Sequence, residues 1–216
     1  MGKIPTNGIP PLAGLATYEE AAKPGLGVDD NVDLLRRYNY VVKRLYFISA
    51  AFMNPTPEWE VKSALSLHMY LDGEHGQSLR SRVAELRRPP LYLDHTPDER
   101  LEAFLDEAER AQNTPEFLTG IYRVVRPALL QAFKDHVASI NPLFDYPTCR
   151  LLKTAIAEED QMIEWGRQAI AAVVKTDQGR QTATAWANHL DAYLQAAGGI
   201  SGKEEAPAQE LPEKRA

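Results

Sequence analysis

The sequence predicts an all-α protein, built as an antiparallel bundle of four long helices with a crossover. Apolar residues recur at intervals of three and four over long stretches, and strand-like alternation is almost absent. The helices that this spacing predicts reach about two dozen residues or more, well above the globular mean of about 11–12. Short turns marked by proline separate most of them, which favours antiparallel neighbours.

The first two long helices have clear start and stop signals. The first is predicted from about Asp30 to Met53, where "NPTP" ends it because proline cannot continue the hydrogen-bond ladder. The second is predicted from about Pro57 to Arg88, since proline and glutamate suit a first helical turn and "RRPP" stops it. The apolar face of the first helix includes Leu35, Val42, Leu45 and Phe52.

The remaining helices alternate between short and long. A short one is predicted over residues 97–112 from its "TPDE" start signal, and a long one over 115–140, kinked at Pro127. Another long helix covers 147–175, and a last accessory helix covers 176–197. Because the short third helix lies in the link between the second and fourth helices, that link can serve as the crossover.

The composition changes at both ends of this helical region. Residues 1–29 are rich in proline and glycine and are predicted to form an extended N-terminal arm on the domain surface. Residues 30–197 form the predicted helical domain. Residues 198–216 are polar with few large apolar side chains, and they are predicted to be a disordered tail.

Composition and charge exclude several classes of protein. A net charge of -6 argues against a nucleic-acid partner, since such proteins usually carry a basic excess. No apolar run approaches the roughly 20 residues that a membrane span needs, and no signal peptide is recognisable. The single cysteine, Cys149, excludes an intramolecular disulfide and a cysteine-rich zinc site. We therefore expect a cytoplasmic protein that binds neither membrane nor nucleic acid.

Polar residues interrupt the apolar stripe of the second long helix, in "LHMYLDGEH". Three- and four-residue steps place them on the core face. Burial without partners would cost about 1–3 kcal/mol for each group. A zinc, iron or manganese ion could satisfy two imidazoles and a carboxylate, and so could a hydrogen-bonded network or water. The stripe consists of Val61, Leu65, His68, Asp72, His75, Leu79 and Leu86.

A second polar interruption lies in "AIAEEDQMIEW" of the fifth helix. Glu159 falls inside the apolar stripe, about half-way along the helix. Antiparallel packing could bring it to the level of Asp72. The neighbouring Glu158, Asp160 and Glu164 are interpreted as a solvated face.

With these residues in view, the chain resembles the ferritin-like superfamily over about residues 30–175. Asp72 and His75, in "DGEH", resemble its second-helix motif with aspartate in place of glutamate. "EEDQM" resembles its last-helix motif, with Glu159 as the carboxylate and Met162 where a histidine would stand. The resemblance implies a four-helix bundle with a crossover, which typically binds two iron or manganese ions and often activates oxygen.

The ligand set is incomplete by comparison with that superfamily. The first helix offers no glutamate, and the fourth offers only Asp135 and His136, near its end. One hypothesis is therefore a metal-dependent oxidoreductase with a mononuclear or altered iron, manganese or zinc site and no nucleotide cofactor. His136 either joins this site or caps the end of the bundle. The proposed metal ligands are His68, Asp72, His75 and Glu159.

The alternative hypothesis is a non-catalytic bundle with a metal-free polar core. Arg44 could then pair with Asp72 or Glu159, because an arginine–carboxylate pair can replace a lost metal in a buried site. Such a protein would be a small-molecule-binding or protein-interaction module. A homodimer could form through exposed aromatic residues of the last two helices, namely Trp165, Trp186 and Tyr193.

Overall fold

The computed structural model describes residues 7–89, 93–204 and 211–215. Over these ranges the chain is all-α without any strand, which confirms the all-α part of the predicted fold class. None of the helices in these ranges is both long and apolar enough to cross a membrane. The helices are α1 (Tyr18–Ala21), α2 (Val28–Met53), α3 (Trp59–Glu85), α4 (Glu99–Ala108), α5 (Thr114–Thr119), α6 (Arg126–Ser139), α7 (Tyr146–Val173) and α8 (Asp177–Ala196).

Capping residues explain where the accessory helices begin. The Asp98 carboxylate accepts hydrogen bonds from the backbone N–H groups of the first turn of α4, and the Thr176 hydroxyl caps α8 in the same way. Helix α4 ends at Ala108, earlier than the predicted residue 112. The reason is that Asn113 caps the next helix through the N–H of Glu116, so the chain must leave the helical path first.

The long helix predicted over residues 115–140 is interrupted before its proline. Helix α5 passes into a π-helical segment, Gly120–Val125, and α6 starts at Arg126 with Pro127 in its first turn. Proline lacks an N–H and its ring clashes with the carbonyl four residues earlier, so a regular α-helix is disfavoured there. The predicted interruption is thus a wider π turn that begins ahead of Pro127.

Four long helical segments pack side by side around the main core. Helix α2 packs along α3, and α6 packs along α7, each pair being joined by a short connection and therefore antiparallel. Helix α3 also contacts α7, and α2 contacts α6, so the contacts close into a ring. The connection from α3 to α6 carries α4 and α5, and α8 packs against both of these. The predicted core residues Leu35, Val42, Leu45, Phe52 and Leu65 are all buried.

The predicted N-terminal arm contains short helical turns. A 3₁₀ turn covers Pro11–Gly14, and α1 follows it. The side chain of Asn141 donates hydrogen bonds to the carbonyls of Ala21 and Lys23, which fixes the arm beside the α6–α7 connection. Residues 1–6 of the predicted arm lie outside the described residues.

The described parts of the predicted disordered tail pack against the helices. Ile200 is 1% exposed, and its carbonyl accepts a hydrogen bond from Arg37. Gly198 and Gly199 have φ values of 69° and 70°, which lets the chain turn back after α8. Residues 205–210 and 216 of this tail lie outside the described residues.

Two of the three aromatic residues predicted to line a dimer interface are buried within the chain. Trp186 is 5% exposed and Tyr193 is 0% exposed, because α8 packs against α4 and α5. Trp165 is partly buried beside α3. Trp186 and Tyr193 therefore do not form an exposed aromatic surface on α8.

Candidate functional site in the helical core

A buried arginine lies between the two carboxylates that the sequence singles out. Arg126, the first residue of α6, is fully buried. Its Nη2 donates to Asp72 Oδ2 at 2.8 Å, and its Nη1 donates to Glu159 Oε1 at 2.9 Å. Both carboxylates are themselves buried, one on α3 and the other on α7. Asp72 and Glu159 therefore do lie at one level of the helical core, joined by a guanidinium.

The electrostatics of this cluster favour a charged arginine. Burial raises the pKa of Glu159, while the charge of Arg126 acts in the opposite direction. Burial alone would lower the pKa of Arg126, but the attraction of Asp72 and Glu159 outweighs it and raises that pKa. The guanidinium thus stays protonated and supplies one positive charge that the two acids share.

His75 lies beside this cluster and bonds to a glutamate. Its Nε2 is 2.5 Å from Oε2 of Glu158, while its buried Nδ1 has no hydrogen-bond partner in the described part of the chain. One potential ligand atom from each of Asp72, His75 and Glu159 lies within 4.8 Å of the others. The interpretation of Glu158 as part of a solvated face is incomplete, because its side chain is partly exposed but one oxygen bonds to His75. Helix α7 packs against α3 so that the edge of its core stripe, where Glu158 lies, faces the histidine.

His68 belongs to an aromatic cluster one turn before Asp72. Its Nδ1 lies 2.6 Å from the Tyr122 hydroxyl, and its ring contacts the Trp165 ring with centroids 5.1 Å apart. Burial, together with the positive charge of Arg126, lowers the pKa of His68 to about 3. The imidazole is therefore neutral at pH 7, and it stands apart from the group formed by Asp72, His75 and Glu159.

The π-helical segment and a glycine of α7 together position Tyr122. A Cβ built on Gly166 would lie only 2.3 Å from the Cβ and Cγ atoms of Tyr122. Only glycine allows the two backbones to approach so closely. This approach places the hydroxyl of Tyr122 beside His68. It also places Arg126, four residues later, between Asp72 and Glu159.

Two further sequence predictions concern Arg44 and His136. The predicted pairing of Arg44 with Asp72 or Glu159 is wrong, because α4 supplies closer acids. Arg44 donates to Asp106 at 2.8 Å and to Glu109 at 3.0 Å. His136 is buried at the end of α6, where its Nε2 lies 2.8 Å from Oδ1 of Asn31. Of its two predicted roles, the structure favours the one at the end of the bundle.

Sequence reasoning missed the two residues that hold the site together. Tyr122 and Arg126 are separated by four positions, and Leu129 and Phe133 continue the same stripe at three- and four-residue steps. That spacing was a signal that Arg126 faces the core. Its position directly before Pro127, however, suggests a turn, and a turn residue is not expected in the core.

The residues present do not fit a metal ion together with Arg126. A carboxylate, an imidazole and a second carboxylate are suitable ligands for zinc, iron or manganese. Here, however, one guanidinium donates to all four carboxylate oxygens of Asp72 and Glu159, at 2.8 to 3.1 Å. A divalent cation at the same place would lie against the buried positive charge of Arg126 and would need carboxylate oxygens that already accept hydrogen bonds from it.

Two grooves flank the His75–Glu158 pair where α3 and α7 pack together. One has a volume of about 520 Å³ and lies toward the end of α3, near Arg82 and Arg150. The other has a volume of about 550 Å³ and reaches His68. We name this second one the tryptophan groove, and its lining includes Trp59, Glu60, Leu67, Glu158, Met162 and Trp165.

Comparisons of the chain with protein-family models, with curated proteins and with solved structures found no match. The ferritin-like resemblance therefore remains a prediction from residues and helix order. The interpretation of the site depends on its geometry.

Proposed function

We propose that the protein is a non-catalytic ferritin-like bundle whose core cation is Arg126, and that it binds a small molecule in the tryptophan groove. The observation that carries this proposal is the guanidinium that donates to both Asp72 and Glu159. In the ferritin-like resemblance, carboxylates at these two places hold metal ions. A planar guanidinium suits the same pair of carboxylates. Its two terminal nitrogens donate in parallel to the two oxygens of Asp72, and Nη1 also donates to the oxygens of Glu159.

A metal-dependent oxidoreductase is the second candidate. The observations in its favour are the close grouping of Asp72, His75 and Glu159 and the unpartnered Nδ1 of His75. This function requires Arg126 to leave its two acids before a metal can bind. That step would break two buried ion pairs and leave Asp72 and Glu159 without a cation, which costs several kcal/mol before the metal binds. We therefore rank it second.

The tryptophan groove has the lining of a site for an apolar amine. Two indole rings and the side chains of Leu67 and Met162 supply apolar and aromatic surface, as is typical of small-molecule sites. Glu60 and Glu158 supply acidic groups, and no lysine or arginine of the described residues lines the groove. His68 adds no positive charge, because its pKa is lowered to about 3. An ammonium group can bind both a carboxylate and the face of an indole.

Glu158 connects the groove to the polar core. Its side chain is 33% exposed, and one of its oxygens bonds to His75. The same residue also lines the tryptophan groove. An amine that binds Glu158 therefore contacts the hydrogen-bond partner of His75. His75 in turn lies close to Asp72 and Glu159. The proposal thus assigns the polar core a supporting role in ligand binding.

Titration with phenethylamine and with 2-phenylethanol, its uncharged counterpart, tests the groove. We expect phenethylamine to change the tryptophan fluorescence saturably and to bind about tenfold more tightly than the alcohol, which corresponds to about 1.4 kcal/mol. Glu158→Gln should abolish this preference for the amine. Glu74→Gln, which alters an exposed carboxylate of α3 outside the groove, should preserve it. Equal affinity of the two compounds for the unmodified protein would contradict the assignment.

A further inference from the structure

The last described residues of the chain, 211–215, lie against the end of the molecule formed by α4, α5 and α8. Three hydrogen bonds fix their backbone. Tyr193 Oη donates to the carbonyl of Pro212 at 2.8 Å, and Arg110 donates to the carbonyl of Arg215 at 2.8 Å. The backbone N–H of Arg215 donates to Glu107 Oε1 at 2.9 Å. These contacts hold the main chain of the segment, and the side chain of Arg215 adds contacts of its own.

The side chain of Arg215 occupies a site built for a guanidinium. Its two terminal nitrogens donate to the two carboxylate oxygens of Glu116, at 2.7 and 3.0 Å. Its guanidinium carbon lies 4.9 Å from the centroid of the Trp186 ring. A parallel pair of hydrogen bonds together with an aromatic face is specific for arginine, since lysine offers only a point charge. The surrounding pocket of about 270 Å³ is also lined by Thr182 and His189.

The acids of this pocket are unusually well buried. Glu107 is 1% exposed and Glu116 is 4% exposed. Glutamate is almost never buried to this extent unless it is paired. His189 bonds to Glu107 at 2.8 Å, whereas Glu116 depends on Arg215 for its cationic partner. The pocket therefore contains a buried acid whose positive partner comes from a segment that follows α8 in the chain.

We infer that this end of the molecule is a recognition site for a peptide that carries arginine, and that residues 211–215 occupy it as a ligand tethered within the same chain. A short tether gives a ligand an effective concentration in the millimolar range. The tethered segment therefore keeps peptides of lower affinity out of the site. A peptide with the same chemistry can enter when the tethered arginine is absent. This site lies apart from the tryptophan groove and does not depend on the function proposed for it.

A labelled peptide of sequence "LPEKRA" tests the inference on the full-length chain. We expect the Arg215→Ala variant to bind this peptide at least tenfold more tightly than the unmodified protein, whose site is filled from within. A peptide with lysine in place of that arginine should bind the variant at least tenfold more weakly. Fluorescence anisotropy measures both affinities, and circular dichroism checks that the variant is folded.

Two double variants separate recognition from general stickiness. Glu116→Gln in the Arg215→Ala background should abolish peptide binding. Glu109→Gln in the same background should preserve it, because this exposed acid, which directly follows α4, pairs with Arg44. Equal binding by the Arg215→Ala variant and the unmodified protein would overturn the tethered occupancy. Equal binding of the arginine and lysine peptides would overturn the recognition of a guanidinium.

Discussion

Replacement of Arg126 by methionine is expected to lower the free energy of unfolding by about 3–5 kcal/mol. The reason is that Asp72 and Glu159 would remain buried without their shared cation. Urea unfolding followed by circular dichroism measures the loss. Arg167→Met provides the matched control, since Arg167 pairs with Glu164 on the surface of α7 and such pairs contribute at most about 1 kcal/mol.

A triple variant distinguishes lost packing from an uncompensated charge. Arg126→Met combined with Asp72→Leu and Glu159→Met removes all three charges together and keeps side chains of similar size. Replacement of a buried ionic group by apolar residues is often neutral or stabilising. We therefore expect most of the stability lost in the single variant to return. A single variant that loses less than about 1 kcal/mol would show that the cluster is not the buried ionic centre described above.

Gly166→Ala is expected to destabilise the protein by about 1–3 kcal/mol, because a new methyl group would overlap Tyr122. The clash involves the Cβ and Cγ atoms of the tyrosine, at 2.3 Å, so rotation of its side chain cannot relieve it fully. We also expect Tyr122 to withdraw from His68, to which its hydroxyl is bonded. Thermal unfolding and the chemical shifts of the His68 ring protons measure the two effects.

Gly73 offers the control for that substitution. It lies in the interior of α3, and a Cβ built there would meet no heavy atom within 4 Å. Gly73→Ala should therefore stabilise the protein by about 0.5–1 kcal/mol, since glycine is a poor residue for a helix interior. Similar effects of the two substitutions would contradict the close approach of the π-helical segment to α7.

The helices were predictable because they depend on local signals. Periodic apolar positions such as Leu35 and Leu65 and helix-stopping prolines act over a few residues, and the sequence displays them directly. The same periodicity identified Asp72 and Glu159 as core residues. It also identified His68 and His75 as buried, although it could not show that they have different partners.

The partners of these residues could not be predicted because they come from distant parts of the chain. Arg126 is 54 positions from Asp72 and 33 from Glu159, so only the packing of three helices brings them together. The π-helical segment also shifts the register of the helix that carries Arg126, and no periodic pattern reveals such a shift. Likewise, the choice between Glu158 and its neighbours as a partner for His75 depends on the rotation of α7 against α3.

The metal content of the purified protein tests most directly whether arginine is the cation of the core. Elemental analysis, followed by calorimetric titration with Zn²⁺, Mn²⁺ and Fe²⁺ under anaerobic conditions, measures it. We predict a content far below one ion per chain, no specific binding on titration, and an unfolding transition that a chelator does not change. One tightly bound ion per chain that Asp72→Asn or His75→Gln removes would contradict the account and favour the metal-dependent function.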